Sequence, residues 1–188
     1  MAKGMKIISV IALLLTVCFS LLYKLLCASL FLSFAITFGT ITYHFIVRLL
    51  IGSIYNIVLK NKVNYRRKWF LVSEKEMKLY QLLKVKKWKD KMPTYDNEAF
   101  DTSKHSFEEI IQTMCQAELV HETIIIFSFL PIIFSIWFGK IEVFIITSIL
   151  SALFDLMFVI MQRYNRYRII KIISRLKKIK THIFWIIC

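Results

Sequence analysis

The sequence predicts an all-α integral membrane protein with four transmembrane helices in two hairpins and an interfacial cytoplasmic helical segment between the hairpins. Two observations lead to this fold class. First, 57% of the 188 residues are hydrophobic and only 20% are charged, and a soluble globular surface cannot hide so much apolar side chain. Second, four stretches approach the roughly 20 apolar residues that a helix needs to cross a bilayer. These stretches are residues 7–23, 25–47, 119–138 and 141–162.

The first two stretches are uncharged and are separated by Lys24 alone. This spacing predicts a hairpin, although one long kinked helix would also fit it. Lys3 and Lys6 precede the first stretch, as in a secretory signal peptide, but no small-residue cleavage site cleanly interrupts the run. We therefore expect the first stretch to be retained as a span.

The third and fourth stretches predict the second hairpin, with its turn at Gly139–Lys140. Both carry ionisable residues: His121 and Glu122 lie near the start of the third, and Asp155 lies within the fourth. Ionisable side chains inside a membrane span are costly and are usually functional or paired. The second hairpin is therefore where we look for a site.

The charge distribution predicts the orientation of the chain in the membrane. The net charge is +14; 14 of the 26 Lys and Arg residues lie between Arg48 and Lys104, and eight lie between Arg163 and Lys180. Since basic loops stay on the cytoplasmic side, we predict a multi-pass membrane protein with both termini in the cytoplasm. This rule accounts for the charge without nucleic acid, and the expected partners are membrane lipids.

The predicted organisation has four segments, and two capping boxes mark helix starts in the second of them. The boxes are Ser73 with Glu76 and Ser106 with Glu109. No breaker follows the second box before Pro131, so its helix should run directly into the third span. The segments are an N-terminal transmembrane hairpin (1–47), a basic cytoplasmic and interfacial segment (48–118) that includes a loop over 94–103, a C-terminal transmembrane hairpin (119–162) and a basic cytoplasmic tail (163–188).

Helical periodicity brings several polar residues to one level near the inner leaflet. Glu118 and His121 continue the apolar stripe of the helix that begins near Phe107, and they lie one turn apart. In an antiparallel hairpin that turns at 139–140, paired positions sum to about 279, which places the end of the fourth span beside them. The predicted site consists of Glu118, His121, Glu122, Asp155, Gln162, Arg163, Asn165 and Arg166.

This cluster can serve as an acid–base site. A histidine beside a carboxylate can act as a general base, with His121 as the base and Glu118 as its orienting partner. Arg163 and Arg166 can hold a phosphate or an oxyanion. A structural ion-pair cluster is the alternative. We expect no metal, because the Glu118-x-x-His121 spacing of di-iron bundles occurs only once.

Three blocks carry a family resemblance. They are Lys86 to Pro93 (KKWKDKMP), Cys115 to His121 (CQAELVH) and Gln162 to Arg166 (QRYNR). The blocks resemble the glycosyl-diaponeurosporenoate acyltransferase family, small membrane enzymes linked to the last acylation in staphyloxanthin-type carotenoid synthesis. The resemblance covers about residues 65–170 and implies a membrane-bound acyltransferase.

The sequence departs from the family pattern at three places. Tyr167 stands where a proline is usual, Glu122 stands where an aromatic residue is common, and the first span is an addition to a shorter N-terminus. These differences leave the substrate of this member open, because the resemblance implies the fold and the acyl-transfer role more strongly than the carotenoid.

The expected function is transfer of a fatty acyl group to a hydroxyl of a glycolipid or isoprenoid-type acceptor at the inner leaflet. No cofactor is expected beyond an acyl-CoA or acyl-carrier donor, and the partners are membrane lipids and the lipid-linked acceptor. A non-enzymatic membrane scaffold or anionic-lipid-binding subunit is the alternative. The residues expected to bind substrate are Arg163, Asn165, Arg166, Gln162, Asp155 and Glu122, with Lys87, Trp88 and Lys89 at the cytoplasmic rim.

Overall fold

The computed structural model describes residues 2–93 and 98–187, so part of the predicted 94–103 loop lies outside the described residues. Within the described ranges the chain is helical and contains no strand, which confirms the all-α fold class. Short 3₁₀ turns occupy 68–70, 89–91, 98–100 and 130–134. The α-helices are α1 (Ala2–Leu26), α2 (Ser29–Leu59), α3 (Glu74–Leu82), α4 (Val85–Trp88), α5 (Phe107–Phe127), α6 (Ser135–Phe138) and α7 (Ile141–Ile187).

Four helical stretches in the described part of the chain are long and apolar enough to cross a membrane, as predicted. They are Lys3–Leu26, Ser29–Leu59, Phe107–Phe138 and Ile141–Leu176. Three of them extend well beyond the apolar runs of the sequence, because helical structure continues through the flanking polar residues. Helix α2 thus carries Arg48, which stands one residue past the predicted end of the second span.

Helices α1 and α2 form a hairpin, which decides between the two predicted alternatives. The helix breaks at Cys27, whose φ of 52° is left-handed. The Phe19 ring of α1 then stacks on the Phe38 ring of α2, with centroids 5.5 Å apart. Next to Phe38, a Cβ at Gly39 would meet the side chain of Thr16, about one turn before Phe19, at 3.6 Å. Such contacts require the second helix to return along the first.

The chain divides into two compact units. The first comprises residues 1–58 and 120–157, and the second comprises residues 59–119 and 158–188. Each unit therefore joins segments that are far apart in the sequence, and α5 and α7 contribute to both. We refer to them as the span unit and the basic unit.

The basic unit has its own apolar core. Val63, Phe70, Ile111 and Cys115 form one buried cluster, and a second cluster joins α3 and α4 to α7. The second cluster consists of Met77, Tyr80, Val85 and Tyr164.

Both predicted capping boxes are present in the basic unit. The Ser73 hydroxyl accepts a hydrogen bond from the Glu76 N–H at 3.2 Å. The Ser106 N–H donates to the Glu109 carboxylate at 2.8 Å, and the Glu109 N–H donates to the Ser106 hydroxyl at 3.3 Å. These bonds satisfy backbone donors that a helix N-terminus leaves unpaired.

Candidate active site

A buried ionic cluster lies inside the span unit. His121 Nδ1 on α5 is 2.8 Å from Asp155 Oδ1 on α7. The other carboxylate oxygen, Oδ2, accepts a hydrogen bond from Arg48 Nη2 at 2.5 Å, and the same nitrogen donates to Ser151 Oγ at 2.9 Å. The Asp155 side chain is fully buried, whereas that of His121 is 20% exposed. A buried carboxylate is thus held between a guanidinium and a partly accessible imidazole.

The pairing favours one tautomer of His121. Arginine has N–H donors and no acceptor, so Arg48 donates to Asp155 Oδ2. When His121 carries its hydrogen on Nδ1, it donates that hydrogen to Asp155 Oδ1, and Nε2 is then the basic nitrogen of the ring. This is the arrangement that a general base requires.

Arg48 is the most important site residue that sequence reasoning missed. Its charge was counted among those that set the orientation, yet its side chain is only 11% exposed. The guanidinium carbon lies 5.7 Å from the ring centroids of both Phe45 and Phe154. An arginine inside a 31-residue apolar helix is itself a sequence signal, because such a charge requires a partner.

His44 is the second missed residue, and it lies one turn before Arg48 on α2. It is 5% exposed, and its Nε2 has no hydrogen-bond partner among the described residues. It interacts electrostatically with both Arg48 and Asp155. A buried imidazole nitrogen without a hydrogen-bond partner costs stability. Together with Arg48 and Asp155, His44 makes this part of the span unit polar.

Serine contacts agree with the predicted register of the second hairpin. Ser128 Oγ of α5 lies 3.2 Å from Ser151 Oγ of α7, and these two residue numbers add up to the predicted sum. Ser151 connects this contact to Arg48. The polar lining of the span unit is therefore continuous from Ser128 to His121.

A second ionic cluster lies in the basic unit and is centred on Glu118. This carboxylate is fully buried; Oε1 accepts from Arg163 Nη1 at 2.5 Å, and Oε2 accepts from Arg166 Nη1. Both Glu118 oxygens are therefore taken by arginines, while the carboxylate on His121 Nδ1 is that of Asp155. Two guanidinium charges attract Glu118 more strongly than an imidazole does, so the structure gives His121 a different partner from the one predicted.

Arg163 and Arg166 also bind backbone carbonyls. Arg163 donates to the carbonyl oxygens of Trp69 and Leu71 at 3.0 and 3.3 Å, and Arg166 donates to that of Phe70 at 2.8 Å. The two side chains thereby fasten the 69–71 segment to α7. Both guanidinium groups, which were predicted to hold a phosphate, thus bind groups of the protein itself.

Glu76 completes the second cluster. It accepts from Arg163 Nε at 2.6 Å and from Nη2 at 3.1 Å, so all five N–H donors of Arg163 have protein partners. Burial opposes ionisation of Glu76, but hydrogen bonds from Arg163 and from the Tyr80 hydroxyl outweigh it and hold the pKa of Glu76 below its usual value. Burial and the bond to Glu76 raise the pKa of Tyr80.

The remaining predicted residues have varied surroundings. Gln162 is buried, and Asn165 and Glu122 are half-buried. Of the predicted rim, Lys87 is exposed and Lys89 is ion-paired with Asp90 at 2.6 Å. Trp88 packs against the Met77–Tyr164 core and donates its indole N–H to the Leu83 carbonyl at 3.1 Å.

Together, the fold and the site define a small all-α protein with four candidate membrane spans, three of which contribute to a histidine–aspartate–arginine cluster. The family model of glycosyl-4,4'-diaponeurosporenoate acyltransferase matches residues 60–175, which is more than half of the chain. The chain belongs to this family, as the resemblance predicted. No curated protein and no solved structure matches the sequence. The matched range contains His121, Asp155 and the Glu118 cluster, whereas Arg48 and His44 lie before it.

Proposed function

We propose that this protein transfers a fatty acyl group to a hydroxyl of a glycolipid or isoprenoid-type acceptor at the inner leaflet of the bacterial cell membrane. The observation that carries the proposal is the 2.8 Å contact between His121 and Asp155, in a chain whose family is named for acyl transfer. A buried, ionised carboxylate behind a partly exposed imidazole is the arrangement of a general base with its orienting group.

In the proposed reaction, His121 Nε2 takes the proton of the acceptor hydroxyl. The oxygen attacks the carbonyl carbon of an acyl thioester, and the tetrahedral intermediate collapses with cleavage of the carbon–sulfur bond. The imidazolium returns the proton to the leaving thiolate, so that an ester and a free thiol result. An acyl-CoA or an acyl-carrier protein supplies the thioester, and no further cofactor is needed.

Asp155 and Arg48 have supporting roles in this reaction. Asp155 fixes the orientation of His121 and stabilises the imidazolium that forms. Arg48 acts through Asp155, because it pairs with the buried carboxylate, and it is therefore a positioning residue. Asp155 therefore takes the orienting role that was predicted for Glu118.

The Glu118 cluster supports a structural role in the same proposal. Each oxygen of Glu118 and each N–H donor of Arg163 has a protein partner, so binding a substrate phosphate there would break buried contacts. We propose that Arg163 and Arg166 hold the 69–71 segment against α7. Contact with the acceptor headgroup is then left to Gln162, Asn165 and Glu122, with Lys87, Trp88 and Lys89 at the rim.

Lipid mass spectrometry of the native host with and without the gene tests the proposed function. We expect an acylated glycolipid or isoprenoid to disappear on deletion, to return with the wild-type gene and not to return with His121→Ala. An unchanged lipidome, or full rescue by His121→Ala, would contradict acyl transfer and would favour a membrane scaffold or an anionic-lipid-binding subunit.

A further inference from the structure

The basic unit contains an open cleft whose lining residues take no part in the reaction steps described above. Its volume is about 590 Å³, within the range of small-molecule sites, roughly 300–1,000 Å³. One wall is the chain that follows α2, and the other is the first turns of α5. The lining residues are Lys62, Val63, Asn64, Tyr65, Arg66, Glu108 and Gln112.

The first wall is held in place by contacts at its start and within it. Val63 is buried in the core of the basic unit. Just before it, the Asn61 N–H donates to Gln116 Oε1 on α5 at 2.8 Å. Within the wall, the Asn64 side chain accepts from the Arg66 N–H at 3.1 Å. The cleft is therefore preformed, which lowers the entropic cost of binding a ligand.

The wall after α2 is strongly basic. Residues 57–73 contain five Lys and Arg residues and no acid. Lys62 and Arg66 are exposed, and neither has an ion-pair partner in the described part of the chain. They differ in this respect from Arg163 and Arg166, which form ion pairs with Glu76 and Glu118. Lys62 and Arg66 are thus cations available to a ligand.

The other lining groups favour an organic ligand over a simple inorganic anion. Asn64 and Gln112 supply amide donors, and the half-buried Tyr65 supplies an aromatic face, with the Arg66 guanidinium carbon 5.8 Å from its ring centroid. Glu108 adds one negative charge to a lining that also carries the two positive charges of Lys62 and Arg66. A carboxylate would repel a phosphate placed next to it but can accept a hydrogen bond from a hydroxyl or an amino group. The lining therefore favours an organic phosphate, with its phosphate on the basic wall.

We propose that this cleft binds an organic phosphate, with Lys62 and Arg66 holding the phosphate group. The ligand has two potential sources, the nucleotide head of a coenzyme A thioester and the headgroup of an anionic phospholipid. Phosphate binding in the cleft does not depend on the reaction proposed above. Only the assignment of the cleft to the acyl donor rests on that reaction. In either case the cleft holds a charged head and leaves the acyl chain outside the basic wall.

The test compares two double variants of the full chain in neutral phosphatidylcholine nanodiscs. Lys62→Gln with Arg66→Gln removes the cleft cations, and Lys75→Gln with Lys78→Gln removes the same charge from exposed positions of α3. Coenzyme A binding is measured by calorimetry, and retention of phosphatidylglycerol is measured in nanodiscs that contain it. We expect the cleft variant to weaken binding by about tenfold or more, because two charge-assisted contacts are lost.

Each outcome has a distinct meaning. Weakened coenzyme A binding in the cleft variant alone supports the donor as the source, and weakened phosphatidylglycerol retention alone supports the lipid. If both double variants bind both probes like the wild type, or lose binding equally, the cleft is not a phosphate site. None of these measurements needs turnover, so a failure of the acyl-transfer proposal would not affect them.

Discussion

Asp155 illustrates how one buried carboxylate determines the chemistry of its neighbours. It is fully buried and bonds Arg48 on one oxygen and His121 on the other. A buried carboxylate needs a paired charge or hydrogen-bond donors, and Arg48 and His121 supply them. The imidazole gains a fixed orientation as a consequence.

The first prediction concerns Arg48. Arg48→Met removes the cation and leaves the Asp155 carboxylate buried without it, which should lower the free energy of unfolding by about 3–5 kcal/mol. Adding Asp155→Leu removes the stranded charge and should recover most of the loss. Unfolding of the two variants in detergent, followed by circular dichroism, checks this. Equal stability of the single and double variants would show that the pair is not coupled.

Glu76 gives a pH-dependent prediction. Its pKa is lower in the folded protein than in the unfolded chain, so its stabilisation is complete above the unfolded pKa and is lost as the pH falls through the folded one. Wild-type stability should therefore fall more steeply than that of Glu76→Gln as the pH drops below about 4.5. Unfolding curves across this range test the prediction.

A control for Glu76 is available on the same helical turn. Glu74 is exposed, so Glu74→Gln removes one negative charge without removing the ion pair with Arg163. If Glu74→Gln and Glu76→Gln reduced the loss of stability at low pH to the same extent, the contribution of Glu76 would be refuted.

At the scale of the element, single left-handed residues end helices of this chain. Cys27 follows α1 at φ 52°, and Lys84 follows α3 at φ 52°. Glycine is the usual residue at such positions, because a Cβ is strained there. Both helices therefore end at a residue that is unfavourable for its backbone conformation.

This strain yields a prediction for α3. Lys84→Gly should raise the free energy of unfolding by about 1 kcal/mol, because it relieves a left-handed residue that carries a Cβ. The matched change Lys78→Gly, at an exposed position inside α3, should lower it by about 1 kcal/mol. Thermal unfolding of both variants measures the difference. Destabilisation of similar size in both would contradict the strain at Lys84.

Local patterns were sufficient to predict many of the elements. The capping boxes at Ser73 and Ser106, the turn at Gly139–Lys140 and the four apolar spans all depend on neighbours in sequence, and the structure has them. The helix of the second span continues past the predicted end at residue 47, and it carries Arg48 as a buried partner of Asp155.

Long-range pairing could not be predicted in the same way. Periodicity showed that Glu118 and His121 share a face of α5, but it could not show which carboxylate each group meets on another helix. The carbonyl oxygens of the 69–71 segment carry no sequence signature, so nothing indicated that Arg163 and Arg166 would bind them. The sequence could therefore place candidate residues on one face of a helix, but it could not assign their partners.

At the scale of the whole molecule, the family match and the site cover different parts of the chain. Residues 60–175 match the acyltransferase family, whereas Arg48 comes from α2, before the matched range. The cluster around Asp155 is therefore completed by a helix outside the region that defines the family. We expect the N-terminal hairpin to be required for activity as well as for anchoring.

The distribution of basic residues predicts the topology of the whole chain. In a background without native cysteines, Lys140→Cys should react with a membrane-impermeant maleimide in intact cells, because Gly139–Lys140 is the predicted external turn. Lys104→Cys, in the predicted cytoplasmic segment, should react only after permeabilisation. Labelling of Lys104→Cys in intact cells, with protection of Lys140→Cys, would reverse the proposed orientation.

The central claim is that His121 acts as the general base of acyl transfer. The most direct measurement is the rate of acyl transfer by His121→Ala at matched amounts of folded protein, with His105→Ala, an exposed histidine outside the spans, as the control. We predict that His121→Ala loses at least about 100-fold in rate, the lower end of what general acid–base catalysis contributes, while its unfolding midpoint stays near that of the wild type and His105→Ala keeps full activity. Retention of the wild-type rate by His121→Ala, or a loss fully explained by unfolding, would contradict the claim.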